Sequence, residues 1–417
     1  MRKNGESAFL CHRSGIMSDK FVSEVVRNVP PSGIRKFFDL VLEMEGVISL
    51  GVGEPDFVTP WHIREACIYS LEKGFTTYTS NFGLLELREW ISKSYRKDYN
   101  VDYDPHDQVL VTTGVSEAAD LAFRTLINPG DEVIVPEPCY VSYKPSVSLA
   151  GGVPVPVRTN REDEFRVTAE QIEKSITNKT KALVLSYPNN PTGAVLRKKD
   201  LEEIADVVNE NDIAVISDEV YCKLTYGGPH TCFSSLPGMK ERTIILNGFS
   251  KSHAMTGLRL GFAAGSEELI GAMTRIHQYA MLCAPITAQI GAIEALKNGN
   301  GEMDKMIREY DRRRRLIVDG LNKLGLDCFE PKGAFYAFPS IKSTGMTSEE
   351  FAGRLLKEEK VAVVPGNVFG ECGEGHLRCS YSTSREQLVE ALGRIEAFLD
   401  KISCKVPAKP VSRKRAL

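Results

Sequence analysis

From residue 109 to 246 the chain alternates short, unbroken apolar runs with amphipathic helical patterns, and this rhythm limits the folds open to it. The runs are Val109–Val111, Glu132–Pro136, Ala182–Tyr187, Ile213–Ile216 and Thr243–Leu246. Between several of them, Ser116–Ile127, Thr168–Ile176 and Lys199–Asn209 space apolar residues three and four apart, the period of a helix with one buried face. Strands that are apolar on every residue are buried on both faces, and helical crossovers join strands that run parallel. The expectation is an α/β fold with a large, mostly parallel sheet covered by helices. Downstream, Met303–Leu324, Ser348–Lys357 and Arg385–Leu399 read as helices, with Gly333–Pro339, Val361–Pro365 and His376–Tyr381 as strands. This second part reads as a smaller α+β domain.

Composition removes several classes of function. A net charge of −3 gives no field that would hold nucleic acid or an anionic membrane. No apolar run approaches the roughly 18 residues of a spanning helix. The first twenty residues carry Arg2, Lys3, Glu6, Arg13 and Asp19 without the apolar stretch of a signal peptide, so the expected location is the cytoplasm. Ten cysteines are scattered without a C-x-x-C pair, which fits reduced thiols and no metal site. Gly51-Val52-Gly53 follows an apolar run, but Asp56 stands where a dinucleotide fingerprint needs its third glycine. The four arginines Arg312–Arg315 read as a solvated helix face, and residues 403–417, basic and without an acid, as a solvated tail.

Chemistry collects where the strands end. Val109–Val111 runs into Thr112-Thr113-Gly114-Val115-Ser116, and Glu132–Pro136 into Glu137-Pro138-Cys139-Tyr140. Ala182–Tyr187 leads to Pro188-Asn189-Asn190-Pro191-Thr192-Gly193, Ile213–Ile216 to Ser217-Asp218-Glu219-Val220-Tyr221, and Thr243–Leu246 to Asn247-Gly248-Phe249-Ser250-Lys251. In an open parallel sheet the ligand crevice lies beyond the carboxyl ends of the strands. Taken singly, each feature has an ordinary reading: a turn at Asn-Pro-Thr-Gly, a helix cap at Asp218, an exposed lysine at 251, packing at Tyr140. Together they deliver a glycine turn, an aromatic, an amide, a carboxylate with a phenol, and a lysine to one rim.

These segments, in this order, resemble the fold-type I pyridoxal 5′-phosphate (PLP) aminotransferases, in the class I subgroup of aspartate and aromatic amino-acid aminotransferases. The resemblance spans roughly residues 28–400 and rests on LGVGEPDF (50–57), YTSNFGLLELRE (78–89), TTGVSEA (112–118), PNNPTGAV (188–195), ISDEVY (216–221), NGFSKSHAMTGLRLGF (247–262), PKGAFYAFP (331–339) and HLRCSYS (376–382). It implies a Schiff-base lysine at Lys251, a partner for the pyridinium nitrogen in Asp218, and hydrogen bonds to the ring oxygen from Tyr221 and Asn190. Tyr140 would stack on the ring. The amides of Val115 and Ser116, with Ser250 and Arg259, would hold the phosphate; many relatives have a serine where this chain has Gly248. Arg378 resembles the arginine that forks onto the substrate carboxylate, Gly53 a backbone contact to substrate, and Tyr140 and Asn190 also face it. Tyr78 resembles the tyrosine that reaches a neighbouring subunit's cofactor, which implies a homodimer with shared sites.

The same resemblance implies a large PLP-binding domain over 61–296, a small domain from 28–60 and 297–402, an N-terminal arm over 1–27 and the tail from 403. Met17, ahead of the family-like part, is a candidate start. The substrates implied are an amino acid and a 2-oxoacid. SGIRKFFD (32–39) and VVPGNVFG (363–370) favour an aromatic donor with 2-oxoglutarate as acceptor. Aspartate aminotransferases share nearly all these residues, and a PLP-dependent C–S β-lyase would use the same Lys251, Asp218 and Tyr221. A PLP-fold regulator would need a DNA-binding domain, for which residues 1–27 are too short.

Overall fold

A computed structural model describes residues 21–34 and 44–403 of the 417. The tail from 404, most of the arm and most of SGIRKFFD lie outside the described residues. After a short strand β1 (Ile48–Ser49), the chain builds a seven-stranded sheet from β2 (Val109–Thr112), β3 (Glu132–Glu137), β4 (Val153–Arg158), β5 (Thr180–Ser186), β6 (Ala214–Asp218), β7 (Thr243–Gly248) and β8 (Gly261–Ala264). Their order is β2-β8-β7-β6-β5-β3-β4. Only β8 runs against its neighbours, pairing antiparallel with β2 and β7.

Alternate residues of these strands pack on opposite faces. Val133, Val135, Val184, Ile216 and Leu246 join Leu121, Phe123, Ile270 and Met273 from helices 115–126 and 267–280. Ile134, Leu183, Leu185 and Val215 pack on Leu201, Ile204 and Val208 of helix 198–210. Burial on both faces is why these runs are apolar at every position.

Two strands of this sheet were not expected. β4 reads Val-Pro-Val-Pro-Val-Arg, and proline argues against a central strand. It is tolerated because β4 is an edge strand: Pro154 and Pro156 are two residues apart, so both missing N–H groups face the unpaired side. β8, Gly-Phe-Ala-Ala, is too short in apolar bulk to stand out.

The second part contains β9 (Tyr336–Ala337), β10 (Val361–Ala362), β11 (Val364–Pro365) and β12 (Leu377–Ser380). β1 pairs with β10, and β11-β12-β9 form a separate antiparallel sheet. Ile48 and Leu50 share a core with Ile317 and Leu321 of helix 300–323, Phe351 of helix 348–359 and Phe398 of helix 385–403. The arginine run corrects the sequence reading. Arg312 and Arg315 are exposed, but Arg313 and Arg314 are buried. Arg313 pairs with Asp56 at 2.8 Å and Glu309 at 3.1 Å, and Arg314 with Asp311 and Glu330. Two residues one apart on a helix lie about 100° round, so half of the run turns inward while the rest stays wet.

Candidate active site

Because β2, β3, β5, β6 and β7 all point the same way, their carboxyl ends share one rim, and the residues singled out above sit just beyond them. Lys251 lies three residues past β7, half-buried, and its Nζ donates to the Gly53 carbonyl at 2.7 Å. Burial pushes this amine down to about 8, with Arg378 and Arg259 acting in the same sense and Glu54 and Asp218 opposing. A lysine held there is far more often neutral, hence nucleophilic, than an exposed one.

Asp218 ends β6 and caps no α-helix, contrary to its ordinary reading; its Oδ1 accepts the Val220 N–H at 3.1 Å. Oδ2 accepts the Tyr143 hydroxyl at 2.7 Å, and the same hydroxyl lies 2.9 Å from Ser186 Oγ. Burial raises the Asp218 carboxyl above its ordinary value, while these two donors favour the ionised form. A cation brought to this carboxylate would be stabilised strongly.

Arg378, on β12, is buried and donates from Nη1 to Asn190 Oδ1 at 2.9 Å and from Nη2 to the Gly51 carbonyl at 2.6 Å. Its guanidinium lies between the rings of Tyr336 and Phe369, 4.7 and 4.9 Å from their centroids. Its Nε is buried without a partner among the described residues, which fits a site for an anion still to come. The Tyr221 hydroxyl meets the Tyr336 hydroxyl at 2.7 Å, and burial lifts both phenols above their ordinary range. A Cβ on Gly53 would fall 2.8 Å from the Tyr336 hydroxyl, so only glycine leaves this approach open.

At the β2 end, Gly114 has φ +78° and precedes helix 115–126. A Cβ there would fall 2.7 Å from Arg259 Nη2, in the space between the helix start and an exposed guanidinium. Open backbone amides, a helix N-terminus and an arginine make a cradle for a dianion. Ser250 is buried in the turn after β7. Tyr140 packs edge-on against Tyr143 at 5.6 Å. Tyr78 is the exception: it is 81% exposed and meets none of the other candidates within this chain. Tyr143 and Tyr336 belong to the site but escaped sequence reasoning, since a tyrosine in an apolar stretch reads as core.

The rim of this mostly parallel sheet thus gathers a depressed lysine, a raised carboxylate, paired phenols, a buried guanidinium and a cradle open to an anion. Residues 45–395 match the family described as "Aminotransferase class I and II", and the chain belongs to that family. Its members use PLP and act on amino acids and oxoacids, and this protein is a PLP-dependent transaminase of the aspartate and aromatic subgroup. The chain is 48% identical to Aromatic-amino-acid aminotransferase 2 of Thermococcus litoralis, over 91% of this chain and 98% of that one. It is 49% identical to the aspartate aminotransferase of Pyrococcus abyssi, over 89% and 96%. Among solved structures, the aspartate aminotransferase from Thermus thermophilus with maleate matches with TM-score 0.87 and 38% identity, covering 90% of this chain and 99% of that one. No helix among the described residues is long and apolar enough to cross a membrane.

Proposed function

We propose that this enzyme transfers the amino group of an aromatic amino acid, with aspartate as a second donor, to 2-oxoglutarate, and that Lys251 is its covalent link to PLP. The observation that carries the reading is the convergence of Asn190, Asp218, Tyr221 and Lys251 from the ends of β5, β6 and β7 with Arg378 of β12, a strand of the other sheet. The residues fit the cofactor at both ends: the Gly114–Arg259 cradle suits its phosphate, and the buried Asp218 suits its protonated ring nitrogen. When bound, PLP supplies a carbonyl for the amine and a ring that accepts the electrons of the Cα bond.

The protein's own residues do the rest. Asp218, held by Tyr143, would keep the ring nitrogen charged, and Tyr221 and Asn190 would donate toward the ring oxygen. Tyr140 would cover one ring face. Val115 and Ser116 amides, Ser250 and Arg259 anchor the phosphate. Arg378 grips the α-carboxylate, a planar fork suited to that anion, while Gly53 leaves room for the substrate beside it. With PLP bound, Lys251 Nζ would be the base beside the substrate Cα, able to take up and hold its proton. The aromatic preference rests on the likeness to Aromatic-amino-acid aminotransferase 2 of Thermococcus litoralis and on the VVPGNVFG motif.

The same reading keeps 61–296 as the PLP domain and 28–60 with 297–402 as the small domain, supported by the core that Ile48 and Leu50 share with helices 300–323, 348–359 and 385–403. It also keeps a cytoplasmic homodimer, supported by exposed Trp61, Tyr69, Leu71 and Tyr78, whose apolar surface a partner would cover. The test is a two-substrate assay with phenylalanine, tyrosine or aspartate and 2-oxoglutarate. Glutamate formed fastest from an aromatic donor supports the reading. Glutamate only from aspartate would overturn the aromatic preference, and ammonia and pyruvate released from a cysteine conjugate without oxoacid would point to a β-lyase.

A further inference from the structure

One buried polar pair lies directly behind the phosphate cradle and has no part in the chemistry above. His277, on helix 267–280, is 0% exposed, and its Nδ1 lies 2.6 Å from Glu117 Oε1. The other oxygen of Glu117, Oε2, accepts the Thr113 N–H at 2.5 Å. Nothing among the described residues meets His277 Nε2, so Nδ1 is the ring nitrogen that carries the hydrogen donated to Glu117.

We propose that Glu117 and His277 are positioning residues that set the shape of the phosphate-binding turn. The inference rests on assigning the turn at Gly114 to the cofactor phosphate. Within that turn the amides are sorted. Thr113 N–H goes to Glu117, and Gly114 N–H to the Thr112 carbonyl at 2.9 Å. The next two, Val115 and Ser116, stand at the start of the helix, where no intrahelical acceptor exists. Two amides are thus held inward so that two remain for the dianion.

The second partner of the Glu117 carboxylate is a fully buried imidazole, on a helix whose other buried positions include Ile270 and Met273. Its presence is explained if it fixes the rotamer of Glu117. The His277 carbonyl also accepts the Met281 N–H at 2.8 Å and the Leu282 N–H at 3.1 Å, and Asn81 Nδ2 donates to the Leu282 carbonyl at 2.7 Å. The same residue therefore ties the phosphate turn to the loop that carries Tyr78.

The test compares His277→Leu, His277→Asn and Glu117→Gln by equilibrium dialysis of the PLP-loaded protein, with the phosphorus resonance of the bound cofactor as a second readout. Asparagine places an N–H near the position of Nδ1 but fills the site poorly, whereas leucine fills it and donates nothing. Losing a hydrogen bond to a charged group predicts about 10- to 100-fold weaker PLP retention for His277→Leu. His277→Asn should recover most of it and restore the phosphorus shift, and Glu117→Gln should fall between. Packing alone predicts the reverse order, leucine above asparagine, and that order would overturn the proposal. So would wild-type retention in Glu117→Gln, which keeps the shape of the side chain and decides the matter should His277→Leu fail to fold. A wild-type protein that does not hold PLP would instead overturn the phosphate assignment beneath it.

Discussion

Arg378 Nη1 and Asn190 Oδ1 are 2.9 Å apart although 188 residues separate them in the chain. The bond joins the arginine proposed to hold the substrate carboxylate to the amide proposed to reach the cofactor ring. On that proposal the bond would hold substrate and cofactor in one frame.

Replacing Asn190 by Ala leaves a buried guanidinium short of an acceptor. The loss is about 1.5–3 kcal/mol for a hydrogen bond to a charged group, or roughly 10- to 100-fold in the KM of the amino donor. Arg378→Lys should not preserve donor binding, because an ammonium keeps the charge and loses the fork. Steady-state kinetics with saturating oxoacid measure both.

The depressed Lys251 amine gives a pH prediction. Its value in the folded protein, about 8, lies below its ordinary 10.5. The protonated amine is not a nucleophile, so PLP capture by the cofactor-free protein should accelerate as pH rises and level off above about 8. The folded state also binds this proton less readily than the unfolded state. The Lys251 contribution to the stability of the cofactor-free protein therefore improves between about 8 and 10.5. Stopped-flow absorbance against pH follows the first effect, and a midpoint near 10.5 would show that the lysine is not desolvated.

Gly53 and Tyr336 should couple. A Cβ at 53 meets the Tyr336 hydroxyl at 2.8 Å, so Gly53→Ala forces the ring or the loop to move and weakens donor binding. In a Tyr336→Phe background the obstacle is gone, and the same change should cost much less. A double-mutant cycle on kcat/KM gives the coupling, expected in the range of about 0.5–3 kcal/mol for residues in contact.

Arg313→Ala tests the buried part of the arginine run. Arg313 has 8% of its side chain exposed and Asp56 29%. Breaking a fully buried pair costs about 3–5 kcal/mol, and the partial exposure of Asp56 brings the expectation down to about 2–3 kcal/mol. Arg312→Ala, at an exposed position, should change the denaturation midpoint little. Chemical denaturation of both variants separates the inward arginine from the outward one.

Much of this was legible in the sequence because a parallel α/β sheet writes itself as apolar runs and puts function where they stop. β2, β3, β5, β6 and β7 all begin within two residues of the expected positions. What was hidden depends on context that single residues do not display. β4 was masked by prolines that only an edge strand tolerates, and β8 by its glycine and alanines. The sequence could not divide four adjacent arginines into inner and outer pairs without the partner surface of Asp56 and Glu330. Tyr143 and Tyr336 look like core residues until Asp218 and Tyr221 are placed against them.

The most direct test of the central claim is to reduce the PLP-loaded protein with borohydride and locate the attached cofactor by peptide mass spectrometry. The account predicts a single modified residue, Lys251, and no attachment in Lys251→Ala. Attachment at a different lysine, or undiminished attachment in Lys251→Ala, would contradict it.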